Sequence, residues 1–290
     1  MKQLLILSGK GGTGKTTIAS AFIFLSTAKA YADCDVDAPN LHLIMARNQQ
    51  PQVREYYGLP KAKIDNDKCI LCGLCKRKCR FEAISFLDGK YNVNDFSCEG
   101  CSVCQYVCPA NAIAMIKYEA GKLMLYKNDV VFSTAQLKMG SGTSGMLVSE
   151  VKNQMKEVCD ENVELAIIDG SPGIGCPVIA SLSGVDLVLI VAEPTLSGIS
   201  DMKRIIKTAQ QFSTKIAVCT NKFDINLENS FKIQETCKEF NVPFVGNVPF
   251  DEAAVKITNE GKSLVEVECS SGKSIVDIYR NCYDILKKEG

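Results

Sequence analysis

The sequence predicts an α/β fold, a mostly parallel sheet flanked by helices, interrupted by a small α+β insertion. Three observations carry that prediction. Short, nearly continuous apolar runs alternate with amphipathic stretches over most of the 290 residues, as strands buried on both faces and joined by crossover helices require. A glycine-rich loop follows the first apolar run at once. From about residue 60 the alternation stops and cysteines take over, eight of the chain's 15 lying between Cys69 and Cys108, and it resumes near Glu119. The expected division is residues 1–60 and 119–290 for two parts of one α/β domain, with 61–118 inserted between them.

Leu4 to Leu7 is the first strand, and it leads into Gly9-Lys10-Gly11-Gly12-Thr13-Gly14-Lys15-Thr16-Thr17. G-x-x-x-x-G-K-[ST] between a strand and a helix is the setting of a P-loop. Glycines let backbone N–H groups curl around phosphate oxygens, and a helix starting near Lys15 adds its positive dipole end. In this pattern Lys15 reaches the β and γ phosphates, and the Thr16 hydroxyl ligates Mg2+. A P-loop NTPase core with bound nucleotide and Mg2+ is therefore expected.

The remaining strands are expected at Leu165 to Ile168, Leu187 to Val191, Ile216 to Val218 and Val242 to Val245, with helices over 197–212, 226–240 and 274–288. The run from Leu165 ends in Asp169, as a Walker B strand does, so Asp169 is expected to hold Mg2+ through water and the Gly170 to Gly173 turn to sense the γ-phosphate. Thr220-Asn221-Lys222-Phe223-Asp224 follows a strand and also matches N-K-x-D, whose aspartate reads guanine in GTPases. GTP thus stays open beside ATP. The last helix sets Ile275, Ile278, Cys282, Ile285 and Leu286 on one face and is expected to pack on the core.

The insertion contains an internal repeat. Cys69, Cys72, Cys75 and Cys79 are matched by Cys98, Cys101, Cys104 and Cys108, followed by Pro109. C-x2-C-x2-C-x3-C-P is the run of bacterial ferredoxins, in which three cysteines hold one [4Fe–4S] cluster and the fourth crosses to the other. Cys69, Cys72, Cys75 and Cys108 are therefore expected to hold one cluster, and Cys98, Cys101, Cys104 and Cys79 the second, in a ferredoxin-like α+β domain. Cys79 is followed by Arg80 rather than proline, which places a cation there. The insertion has nine basic against six acidic residues. That surplus suits an acidic redox partner or a solvated face offsetting anionic clusters.

Lys10 at the head of the loop resembles the deviant Walker A of the MinD, ParA, Mrp and nitrogenase iron protein superfamily. The resemblance implies that Lys10 reaches the nucleotide of a facing subunit, so that ATP hydrolysis is coupled to dimerisation, with itself or with a paralogous ATPase. Ala32-Asp33-Cys34-Asp35-Val36-Asp37-Ala38-Pro39-Asn40 is similar to the family segment after the second strand. It implies Asp35 as the carboxylate orienting the attacking water, Asp37 being a lesser candidate, although such an acidic trio also suits capping of a helix near Asn40. Asn221 and Lys222 correspond to the family's base motif, and Pro249-Phe250-Asp251 to the loop closing over the base. By the same resemblance hydrolysis serves electron transfer to a partner metalloprotein, or iron–sulfur or metallocofactor assembly, or MinD-like positioning.

Charge and composition exclude other classes. With 33 basic and 33 acidic residues, no broad polyanion-binding surface is expected, so nucleic acid is not a partner. No run of about 18 apolar residues exists and no leader is evident, so no membrane span and a cytoplasmic location are expected. Cys176 lies seven residues after Asp169, where the nitrogenase iron protein has a cluster ligand. No second such cysteine stands at 119–145. A buried thiol is expected there and at Cys34, Cys159, Cys219, Cys237, Cys269 and Cys282. The single His42 supports no catalytic triad.

Overall fold

The computed structural model describes residues 1–46 and 49–288. The chain begins with β1 (Lys2–Ser8), α1 (Lys15–Ser26), β2 (Ala30–Asp33), α2 (His42–Met45) and β3 (Gln52–Tyr57). A separate group follows: β4 (Lys61–Ile64), α3 (Leu74–Lys78), β5 (Ile84–Leu87), β6 (Lys90–Val93), α4 (Val103–Tyr106) and β7 (Ile113–Ile116). The chain then gives β8 (Glu119–Lys127), β9 (Val131–Leu137), α5 (Ser144–Val158), β10 (Leu165–Asp169), α6 (Cys176–Leu182), β11 (Leu187–Ala192) and α7 (Leu196–Ala209). It closes with β12 (Lys215–Asn221), α8 (Leu227–Glu239), β13 (Phe244–Val248), α9 (Glu252–Asn259) and α10 (Ser270–Lys287).

A nine-stranded sheet runs in the order β13-β12-β11-β1-β10-β2-β9-β8-β3. From β13 to β9 every pairing is parallel, and β8 and β3 close one edge antiparallel. β1 is buried from Gln3 to Ser8. Its alternate residues serve two cores: Leu5 and Leu7 pack with α5, α7 and α8, while Leu4 and Ile6 pack with α1 and α10. Each such side chain contributes roughly 1.5–3 kcal/mol by leaving water. The last helix buries Ile275, Ile278, Cys282 and Leu286, as its apolar face requires. Among the described residues no helix is long and apolar enough to cross a membrane.

Two details differ from the sequence reading. The last strand starts at Phe244, because Val242 is held in a turn by its N–H to the Cys237 carbonyl at 2.9 Å. Strands β3, β8 and β9 had no expected counterpart. β3 buries only Tyr56, so it carries no continuous apolar run.

Tyr57 and Glu119 are register partners in the β3–β8 ladder. The chain therefore leaves and re-enters the sheet at neighbouring points, and residues 58–118 form an excursion from one edge. Within it β4 pairs with β7 and β5 with β6 around a small core of Ala62, Cys75, Ala83, Ile84, Cys98, Cys104 and Ile113. Each cysteine run contributes one short helix, α3 or α4. The excursion meets the main body at the β9–α5 loop, where a Cβ on Gly140 would stand 2.9 Å from Phe96 and one on Gly142 3.1 Å from Glu99.

Candidate functional site

The glycine-rich loop links β1 to α1 at the carboxyl end of the parallel strands, where ligands sit in open α/β sheets. Gly14 caps α1 in the left-handed region, at φ 88°, and a Cβ there would lie 2.3 Å from Asn221 Nδ2. Asn221 Nδ2 itself donates to the Thr13 carbonyl at 2.7 Å. The end of β12 thereby braces the loop. Gly11 and Gly12 have open space where a Cβ would point, and Thr13 Oγ1 is buried with no hydrogen-bond partner among the described residues.

Lys15 and Asp169 form a buried ion pair, 6% and 0% exposed. Thr16 Oγ1 donates to the other Asp169 oxygen at 2.6 Å. Burial alone would lower the Lys15 pKa, but Asp169, Asp33 and Asp35 outweigh it and raise it. Asp35 is half-buried, and burial together with Asp169 raises its carboxyl against the pull of Lys15. Asp37 is exposed.

Asp33 was expected only as one of an acidic trio suited to capping. Fully buried at the end of β2, it accepts the N–H groups of Asp35, Asn40 and Leu41, each at 3.0 Å. One carboxylate thus shapes the loop that carries Asp35. The expected helix cap near Asn40 is not formed, since α2 has no side-chain cap; the buried Asp33 instead holds the N–H groups of Asn40 and Leu41 just ahead of it.

The turn after Asp169 is tied to the same centre. Gly170 and Gly173 donate their N–H groups to the carbonyls of Ile6 and Ser8, both at 2.9 Å, and Ser171 Oγ donates to the Cys34 carbonyl. Cys176, at the start of α6, is exposed and so corrects the expected buried thiol. Its neighbour on α5 is Gly145, which offers no side chain to cover it. Cys159 and Cys269 are half-buried, while Cys34, Cys219, Cys237 and Cys282 are buried as expected. Cys269 Sγ takes the Gly272 N–H at 3.3 Å and caps α10.

Lys10 pairs with Glu193 at 3.0 Å, and Lys222 pairs with the same carboxylate at 2.9 Å while donating to the Gly12 carbonyl at 3.2 Å. Burial would raise the Glu193 carboxyl, but the two lysines hold it below its ordinary range. Glu193 was not singled out from sequence. Its one signal is its position just past β11, at the strand end where ligands bind. Beside the loop a cavity of about 200 Å³ is bounded by Gly14, Thr17, Asn221, Lys222, Pro249 and Phe250. Asp224 accepts the Phe250 N–H at 2.7 Å and so fixes the rim of that cavity.

The cysteines of the excursion line two further cavities. Cys69, Cys72, Cys75 and Cys108 line one, and Cys79, Cys98, Cys101 and Cys104 the other. Burial and the adjacent Cys69 and Cys108 thiols raise the Cys75 pKa, and burial with Cys98 and Cys101 does the same to Cys104. Cys108 Sγ accepts the Ala112 N–H at 3.3 Å. Among the described residues no three His, Cys, Asp or Glu side chains are grouped to hold a metal ion. A further cavity, about 740 Å³, opens at the opposite ends of β1 and β10 near Lys2, Leu165 and Tyr283 and includes none of the motif residues.

Residues 4–265 match the CbiA family, the CobQ/CobB/MinD/ParA nucleotide binding domain. An uncharacterized protein of Methanocaldococcus jannaschii is 33% identical over 99% of this chain and 96% of its own length. An iron-sulfur cluster carrier protein of the same organism is 21% identical over 99% of this chain and 85% of its own. The septum site-determining protein MinD complexed with Mg-ADP, from Pyrococcus horikoshii, superposes with a TM-score of 0.59 at 17% identity, covering 99% of both chains. With the loop geometry, the sheet order and a family match over most of its length, the chain belongs to the CobQ/CobB/MinD/ParA nucleotide-binding domain family.

Proposed function

We propose that this protein is a MinD/ParA-type ATPase that couples Mg-ATP binding, hydrolysis and dimer rearrangement to electron transfer toward a partner metalloprotein through two [4Fe–4S] clusters. The observation that carries this reading is the sorting of eight cysteines into two cavities, each lined by three thiols of one run and the fourth of the other. Zinc sites draw four thiolates around one ion. Three closely spaced thiols of one run joined by the fourth of the other follow the pattern of a four-iron core, and the Ala112 N–H on Cys108 Sγ supplies a hydrogen bond of the kind that tunes such groups. When bound, the clusters supply one-electron redox capacity.

The nucleotide chemistry rests on the chain's own side chains. Loop N–H groups and Lys15 bind the β and γ phosphates, with Thr16 and Asp169 holding Mg2+. Asp35 orients water for in-line attack on the γ-phosphorus, and Lys10 of the facing subunit stabilises the charge that develops on the transferring oxygens. Gly11, Gly12, Thr13, Gly14 and Thr17 complete the phosphate and ribose side, and Asn221, Lys222, Pro249 and Phe250 enclose the base. Asp224 is engaged by the Phe250 N–H, which favours ATP over a guanine reading.

A second reading, an ATP-dependent carrier of iron–sulfur clusters, has the 21% identical carrier protein in its favour. An anaerobic redox titration followed by electron paramagnetic resonance, with and without Mg-ATP, separates the two. A shift of about 59 mV, tenfold for a one-electron couple, supports gated electron transfer. Unshifted potentials, with clusters that pass to an acceptor apoprotein, support the carrier.

A further inference from the structure

The internal repeat provides its own control for the charge on the insertion. Lys68, Lys76, Arg77, Lys78 and Arg80 of the first run correspond to Ser97, Gln105, Tyr106, Val107 and Pro109 of the second. Five cations face none. All five are exposed. Lys68 is paired with Asp65 at 3.2 Å, whereas Lys76, Lys78 and Arg80 have no ion-pair partner among the described residues. Arg77 Nη1 donates to the Cys72 carbonyl at 3.1 Å, which lays its guanidinium over the turn bearing the exposed Cys72 thiol. Ile70 and Leu71 beside it are 65% and 49% exposed.

Both runs carry four thiols, so cations serving only to offset thiolate charge would be needed equally beside each run. The second run lacks them and instead meets the main body through Phe96 and Glu99, while Lys78 and Arg80 stand on either side of Cys79, a thiol of the second cavity. The charge therefore marks the first run and its short helix α3. An apolar centre with a charged rim is the anatomy of a transient protein interface, and a one-sided field steers a partner of opposite sign. A polyanion or membrane surface is less well matched, because these charges sit on a five-residue helix and its flanks in a chain of zero net charge.

We propose that this rim docks a small redox protein with an acidic surface, which delivers electrons at the Cys69, Cys72, Cys75 and Cys108 site. One electron leaves the carrier's reduced centre and is taken up at that site, with no covalent bond made or broken. The proposal rests on the cluster reading above.

The test is titration calorimetry of the reconstituted protein with an acidic two-iron ferredoxin, at low ionic strength and at about 0.15 M. Wild-type protein is expected to bind, more weakly with salt. Lys76→Glu/Lys78→Glu/Arg80→Glu, which spares Arg77, is expected to weaken binding at least about tenfold with iron content unchanged. Gln105→Glu/Tyr106→Glu on the second run is expected to stay within about twofold. Should the reversed variant fail to load iron, the neutral Lys76→Gln/Lys78→Gln/Arg80→Gln is expected to weaken binding about threefold. Equal effects on both runs, or none on the first, overturn the docking surface. Binding to phosphatidylglycerol vesicles but not to ferredoxin overturns it in favour of a membrane surface. Iron analysis of the wild type tests the cluster reading separately, since a protein that takes up no iron overturns that reading before any docking is measured.

Discussion

Lys10 and Glu193 are ion-paired at 3.0 Å within one chain, although Lys10 is the residue proposed to act on the facing subunit's nucleotide. The same carboxylate holds Lys222 at 2.9 Å. Glu193 thus holds Lys10 within its own chain and ties it to Lys222 at the end of β12. The proposed dimer would have to open this pair, whose lysine is 36% and carboxylate 14% exposed; a surface pair costs about 0.2–1 kcal/mol to break.

Glu193→Gln is therefore expected to raise ATP hydrolysis by up to about fivefold, the equivalent of about 1 kcal/mol, and to lower the protein concentration at which the ATP-bound dimer forms. Phosphate release and sedimentation velocity measure the two effects. A slower enzyme would show that Glu193 assembles the site rather than restraining it.

Asp35→Ala is expected to reduce hydrolysis by roughly 100-fold or more, the usual loss when a group that positions or accepts a reacting proton is removed. Nucleotide affinity is expected to stay within about threefold, because Lys15 and the loop N–H groups carry binding. Single-turnover hydrolysis together with equilibrium binding of a fluorescent ATP analogue separates the two quantities. Hydrolysis at the wild-type rate removes Asp35 from the role.

Asp33 sets a pH dependence. Burial, reinforced by Asp169, pushes its carboxyl from 3.8 up to about 7, against Lys15 and the N–H groups of Leu41 and Asp35. An acid whose folded pKa exceeds its unfolded value takes up a proton on folding, so its contribution is most favourable below about 4 and is lost as pH rises toward 7. The nucleotide-free protein is expected to melt several degrees lower near pH 7 than near pH 5, at about 2–4 °C per kcal/mol. Asp33→Asn keeps one acceptor oxygen and is expected to flatten that slope. Scanning calorimetry of both proteins across the range checks it, and parallel slopes would assign the dependence to other groups.

What the sequence made legible follows from locality. The P-loop, the strand ending in Asp169 and the paired cysteine runs each declare themselves within about ten residues, because phosphate cradling, metal ligation and cluster ligation need fixed local spacing. Asp33 and Glu193 do not. Asp33 acts on the backbone N–H groups of Asp35, Asn40 and Leu41, which carry no residue-type signature although they lie close by, and Glu193 acts through a lysine more than half the chain away. Strands β3 and β8 were hidden because edge and half-exposed strands lack continuous apolar runs, and the buried β9 because Ser133 and Thr134 interrupt its apolar residues. The exposure of Cys176 was misread because cysteine usually packs as a small hydrophobe, and only the fold reveals that its neighbour is a glycine.

The crossing of the fourth cysteines makes the last prediction. Cys75 and Cys108 line one cavity although they belong to different runs, while Cys75 and Cys79 belong to one run but line different cavities. Ligation within each run would make Cys75→Ser/Cys79→Ser remove one cluster and Cys75→Ser/Cys108→Ser remove two. Crossed ligation reverses both outcomes. The pair Cys75→Ser/Cys108→Ser is expected to lose one cluster and keep about four irons, whereas Cys75→Ser/Cys79→Ser damages both. Iron and acid-labile sulfide analysis of the two reconstituted variants reads the difference directly, with spin quantitation after reduction as an independent count. Thiols that merely filled a small core would give no iron in any of these proteins, so the comparison tests the cluster assignment and its connectivity together.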